Sequence, residues 1–213
     1  MNYIWYYTID RPIGIPKIEG YALSDQYSQR GWKPILADWM NLNYDGFPKK
    51  EEHKLPKELF LYIKTSKTEP LFDWFYLGNH MMAVSEKFYS YLYQQIGRQS
   101  EISELRIFNT KRLESKRKYY VFRICEFNDN LFDFHKGTAV IQEHLMNEYM
   151  LYPDMCLIDK NISKNIFVVK EFCYSFGLIL TEESKRWIEY NLYKPEIHCL
   201  KKYPDVWNNE FII

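Results

Sequence analysis

The sequence predicts an α+β fold, a twisted and mostly antiparallel sheet with two main helices, at about residues 85–97 and 181–193, packed on it. Three observations carry that expectation. Short alternating or aromatic runs bounded by turn residues recur along the chain. Just two stretches repeat apolar residues at helical spacing behind a capping side chain. The 213 residues also include nineteen Tyr, fourteen Phe and six Trp, ring types that suit pleated, half-buried surfaces. At this length a single domain is expected, with an irregular, turn-rich part over 1–55, an α+β body over 56–200 and a C-terminal tail over 201–213. An apolar fraction of 46% against 26% charged residues places the chain among globular proteins and excludes wholesale disorder.

Taken in order, residues 2–9 suit an edge or sheet-entry strand. From residue 11 to about 54, Pro12, Gly14, Pro16, Gly20, Gly31, Pro34, Gly46 and Pro48 leave room for turns, short strands and at most a short helix near 35–41. A strand follows at 59–64, then an aromatic run at 71–77 that ends on Gly78-Asn79. Ser85 caps the first helix, Phe88, Leu92 and Ile96 recur every four residues, and Gly97 is placed to end it. Strands are expected at 104–109, 118–127, 131–135 and 138–142, with 143–150 ambiguous, and again at 155–158, 165–169 and 172–180. Thr181 caps the second helix, whose stripe is Ser184, Ile188 and Leu192; Pro195 stops it before a last strand at 196–200. Val84-Ser85-Glu86 and Leu180-Thr181-Glu182 open their helices alike, an echo that reads as ordinary capping chemistry.

The N-terminus lacks a basic region and a small-residue cleavage site, and no window is long and apolar enough to span a membrane, so a cytoplasmic protein is expected. Cys125, Cys156, Cys173 and Cys199 stand singly and far apart, which suits reduced, mostly buried thiols and neither a metal site nor a redox pair. No cofactor or metal is expected. The formal net charge is zero, which removes any global attraction to nucleic acid or anionic lipid.

Catalytic candidates are few. His135 and Asp133 share one face of an alternating strand and are the best local base-and-orienter pair, the basis of an alternative hydrolase or transferase reading. His144 and Glu148 are four apart yet supply too few ligands for a metal. His198 and Cys199 are adjacent in a strand and point to opposite faces. Neither a nucleophile elbow nor a phosphate loop is present, and the expectation is a non-enzyme. Lys111, Arg112, Lys116, Arg117 and Lys118 form a basic loop over 111–118. An RNA-binding module is the alternative it offers, disfavoured by the neutral chain and the lack of an aromatic RNA signature.

Asp73-Trp74-Phe75, Val84-Ser85-Glu86-Lys87 with Phe88, Tyr119-Tyr120-Val121, Leu131-Phe132-Asp133, Ile166-Phe167, and Leu180-Thr181-Glu182 through Ile188 occur in that order. From about residue 69 to 200 this arrangement resembles a large family of bacterial domains grouped with the immunity proteins of polymorphic toxin systems. The sequence departs from the family at Tyr193-Lys194-Pro195, where a Gly is usual, and after Asp133, where Phe-His-Lys-Gly-Thr stands in place of a Ser-containing segment. The resemblance implies a cytosolic protein that binds and occludes a cognate toxin domain, and it carries over no catalytic residue. Surplus rings agree with a binding face, since Tyr and Trp dominate interface hot spots. The candidate partner-binding residues are Trp32, Trp39, Tyr44 and Phe47 as anchors in the turn-rich segment, with Asp38 and Asp45 as rim charges. Their alternative role is to plug the core.

Overall fold

The computed structural model describes residues 2–8, 10–13, 15, 21–28, 39, 54–65, 67, 69–134, 140–144, 147–159, 161–171 and 174–211. In chain order the strands and helices are β1 (Tyr3–Trp5), β2 (Tyr21–Ser24), β3 (Glu58–Ile63), β4 (Trp74–Gly78), β5 (Met81–Ser85), α1 (Glu86–Ile96), β6 (Ser100–Phe108) and β7 (Tyr119–Ile124). They continue as β8 (Phe132–Asp133), β9 (Val140–His144), β10 (Asn147–Leu151), β11 (Cys156–Leu157), β12 (Ile166–Phe167), β13 (Leu178–Leu180), α2 (Glu182–Asn191), β14 (Ile197–Cys199) and α3 (Tyr203–Phe211). The α+β class and the mostly antiparallel pairing are as expected; β3 with β6 is a parallel pair. The chain divides into two compact units, Pro12–Glu126 and the combination of Met1–Arg11 with Phe127–Ile213.

The central unit, Pro12–Glu126, is a six-stranded sheet in the order β2-β3-β6-β7-β5-β4. Its β4–β5 hairpin turns through Gly78, Asn79 and His80, all at positive φ, which glycine tolerates freely and Asn better than most residues. α1 then packs Phe88, Leu92 and Ile96 inward, all buried. Gly97 ends α1 in right-handed geometry, not in the left-handed cap a glycine usually supplies. A Cβ there would lie 2.6 Å from the Tyr93 ring, so any other residue has to push that half-exposed ring aside.

The other unit holds a four-stranded sheet in the order β12-β13-β1-β14, with the two-stranded pairs β9–β10 and β8–β11. β1, expected as an edge or sheet-entry strand, lies between β13 and β14 with Ile4 and Trp5 fully buried. Its side chains alternate too weakly to reveal that both faces are covered. Residues 147–151, ambiguous from sequence, are strand, so His144 and Glu148 do not share a helix face. The expected tail is helical. Tyr203 and Trp207, four apart, place their rings against Tyr6 at 5.4 and 5.8 Å, and Trp207 also meets Phe176 at 5.5 Å.

The two units are built on one plan. In each, a hairpin (β4–β5; β12–β13) leads through a capped helix (α1; α2) to a strand (β6; β14) parallel to the second hairpin strand. A single antiparallel strand, β7 or β1, lies between those two. The match continues to individual residues. Asp73 accepts the Ser85 N–H on its carbonyl (3.0 Å) and the Ser85 hydroxyl on its carboxylate (2.5 Å). Asn165 accepts the Thr181 N–H (3.0 Å) and the Thr181 hydroxyl (2.9 Å) in the same way. Ser85 Oγ and Thr181 Oγ1 each cap the N–H three residues on. Phe88, Leu92 and Ile96 correspond to Ser184, Ile188 and Leu192, all buried. Where Tyr89 stacks on Tyr120 at 4.1 Å, Lys185 Nζ sits 4.8 Å over the ring of Tyr3. The echo between the two helix openings is therefore more than capping chemistry: it marks a repeated fold whose central strand follows β6 in one unit and begins the chain in the other.

Candidate partner-binding surface

Of the six residues that the sequence singles out, Trp39 is described. Trp32, Asp38, Tyr44, Asp45 and Phe47 lie outside the described residues. Trp39 is 7% exposed; its indole N–H donates to Asp25 Oδ2 at 3.0 Å, and its carbonyl accepts from Arg123 Nη1 at 2.8 Å. Arg123 is 1% exposed on β7 and forms an ion pair with Glu101 of β6. Glu101 also accepts the Leu55 N–H at 3.0 Å. This pair thus fastens residues 39 and 55, on either side of a stretch that carries Tyr44, Gly46, Phe47 and Pro48, to the sheet. A buried ion pair repays its desolvation through such further hydrogen bonds. Sequence reasoning missed Arg123 and Glu101 because single charges inside strands read as solvent-facing.

Asp73 is the second buried charge of this unit, 3% exposed. It meets Arg117 Nη2 at 2.9 Å as well as the Ser85 hydroxyl. Beside it, Tyr119 donates to the Pro70 carbonyl at 2.9 Å, and burial pushes its phenol far above the ordinary tyrosine range. These contacts hold segment 69–73 against the end of β7. Glu69 accepts the Ser115 hydroxyl (2.7 Å) and the Lys116 N–H (2.9 Å). Desolvation works to raise the Glu69 pKa, yet the bonds from Lys116, Ser115 and Arg117 together outweigh it and hold the carboxyl below its ordinary value.

The basic loop is an ordered turn between β6 and β7. Asn109, buried, accepts the N–H groups of Lys111 and Leu113 on its side-chain oxygen, both at 2.9 Å. Arg106 forks onto Glu114 with two bonds of 2.7 Å and lies over the Phe60 and Phe108 rings at 5.5 and 5.4 Å. Tyr27, 44% exposed, closes that aromatic patch at 5.1 Å from Phe108. Lys118 pairs with Glu86 at 3.4 Å.

Asp133 is exposed on β8, while His135 lies outside the described residues. His198 Nε2 stands 3.5 Å from Glu196, away from any pairing with Cys199. Cys156 is exposed and Cys125 and Cys199 are half-buried, against the expectation of mostly buried thiols. Burial pushes the Cys125 thiol up, and the Glu101 charge adds to the shift, the opposite of what a nucleophilic thiolate needs. Among the described residues no three His, Cys, Asp or Glu side chains converge as a metal site would require. No helix among them is long and apolar enough to cross a membrane.

The described geometry offers braced loops and aromatic patches. The chain matches the family described as immunity protein 43 over residues 8–213, and it belongs to that family. The match takes in the turn-rich N-terminal stretch, beyond the 69–200 region whose motifs carry the resemblance. No curated protein matches the chain.

Proposed function

We propose that this chain is a cytosolic immunity protein that binds the toxin domain of a bacterial polymorphic toxin system and occludes it, acting without catalysis. Family membership across nearly the whole chain is the observation that carries this reading. The physical features agree with it: buried ion pairs brace surface segments in advance, which lowers the ordering cost of association. Within this reading Trp32, Asp38, Tyr44, Asp45 and Phe47 form part of the contact surface. Trp39 holds that stretch to the sheet through its bonds to Asp25 and Arg123. The test is growth rescue combined with co-purification, using the C-terminal domain encoded immediately upstream of this chain. Rescue together with a stable complex supports the proposal. A domain that stays toxic in the presence of this chain, with no complex formed, sinks it.

A further inference from the structure

The turn between β6 and β7 concentrates positive charge, and part of it stands outside any ion pair among the described residues. Arg117 and Lys118 are committed to Asp73 and Glu86. Lys111, Arg112 and Lys116 are exposed and form no ion pair among the described residues. Exposed Lys64 and Lys67 flank them on a segment joined to the turn by Thr110 N–H to the Thr65 carbonyl (3.0 Å) and Asn109 Nδ2 to the Lys67 carbonyl (3.2 Å). Leu113, at the tip, is 49% exposed.

The turn is held rigid from behind. Arg112 N–H donates to the Asn109 carbonyl at 2.9 Å, Asn109 N–H to the Leu113 carbonyl at 3.2 Å, and Glu69 braces the descending side. Arg112 itself sits at φ +62°, a backbone region that glycine enters at no steric cost and arginine does not. Strain kept on a residue whose side chain extends into solvent is useful when that side chain acts on something outside the chain.

We propose that this turn, residues 109–118, is a preorganised cationic docking element for an acidic surface on a protein partner. The inference rests on the preceding reading, in which that partner is the toxin domain. A protein fits the turn better than a nucleic acid. Leu113 stands among the cations and needs an apolar recess, and the chain as a whole carries no net charge to draw a polyanion. Arg106, joined to the turn through Glu114, and Tyr27, packed on Phe108, supply a guanidinium and aromatic shoulder of the kind that anchors interfaces.

Two variants test the proposal: the triple reversal Lys111→Glu/Arg112→Glu/Lys116→Glu, and Arg112→Gly alone. Binding to the upstream-encoded toxin domain is measured by surface plasmon resonance at about 0.05 and 0.3 M salt. The triple variant should bind about 100-fold more weakly, mainly through slower association, and its affinity should lose most of its salt dependence. Arg112→Gly relieves the backbone and should melt no lower than the parent, yet bind about fivefold more weakly. A triple variant within about twofold of the parent overturns the proposal. If the parent forms no complex with that domain, the proposed function fails, and the docking element is judged with a fluorescent oligoglutamate peptide against an oligouridylate. Capture of the peptide by the parent and not by the triple variant upholds an acidic partner. No capture, or tighter capture of the oligouridylate, overturns it.

Discussion

The repeated cap makes a comparison that few proteins permit, the same hydrogen-bond motif built once around a buried charge and once around a neutral amide. Ser85→Ala removes the N-cap of α1, worth about 1 kcal/mol. It also strips one donor from the buried Asp73 carboxylate, which adds about 1–3 kcal/mol, for a total of about 2–4 kcal/mol. Thr181→Ala removes the equivalent cap from α2. There, however, Asn165 is half-exposed and uncharged, so water can replace the donor lost from its side-chain oxygen. The expected cost is about 1 kcal/mol. Each variant would be followed by hydrogen exchange at the capped amide, Phe88 N–H or Ser184 N–H, and by the urea midpoint of its own unit. Ser85→Thr, which keeps the hydroxyl, serves as a control expected to stay within about 1 kcal/mol of the parent. Equal costs for the two alanine variants, or the larger cost at Thr181, would refute the argument that the buried carboxylate sets the difference.

Three further expectations follow from the braced surface. Arg123→Met takes the countercharge from Glu101, whose side chain is 11% exposed, and should cost about 3–5 kcal/mol; adding Glu101→Leu should return part of that loss, and a double variant worse than the single would contradict the pairing. Trp39→Ala empties a buried site and breaks the bond to Asp25, for a loss of about 3–5 kcal/mol in denaturant titration; unchanged stability with weakened partner binding would place Trp39 in the interface instead. Glu69 is held below its ordinary carboxylate pKa in the folded chain, so its contribution is complete above the unfolded value of about 4.3. That contribution disappears as pH falls through the depressed folded value. The protection factor of Lys116 N–H, its exchange rate set against the intrinsic rate at each pH, should fall across that acid range, and a flat protection profile would show that Glu69 does not brace the turn.

What the sequence reveals here follows from the range of the forces involved. Both principal helices are legible because their determinants are local: Ser85 and Thr181 cap them, and Phe88, Leu92, Ile96 and Ile188 repeat within a turn or two. Strand β5 escapes notice since Met81-Met82-Ala83-Val84 is apolar throughout and merges with the helix behind it. The Gly78-Asn79 turn before it was the available signal. α3 escapes for another reason. Tyr203 and Trp207 become a helix face once Tyr6 and Phe176 are there to receive them, and no local pattern states that. The interior place of β1 and the pair Arg123–Glu101 are equally products of contacts far apart in sequence. The charged residues that matter most at the candidate surface, Arg123, Glu101 and Asp73, are each ordinary in their own sequence neighbourhood.

The shared plan of the two units also indicates where function resides. What both units have, the capped helix, its buried stripe and the strand threaded between parallel neighbours, is what the fold needs, and it recurs with either Asp73 or Asn165 at the cap. What one unit has and the other does not is free to serve a partner. The β6–β7 turn belongs to the second class: β7 follows β6 directly through it, while in the other unit the corresponding strands are β14 and β1, which no turn connects. Closing that connection calls for a reversal of the chain, and almost any short polar turn would provide one. This one instead carries Lys111, Arg112 and Lys116 outward, keeps arginine at φ +62°, and is braced by Asn109 and Glu69. A connection with so much more structure than closure requires is what the proposed docking element calls for, and the charge-reversal variant tests whether that structure serves a partner.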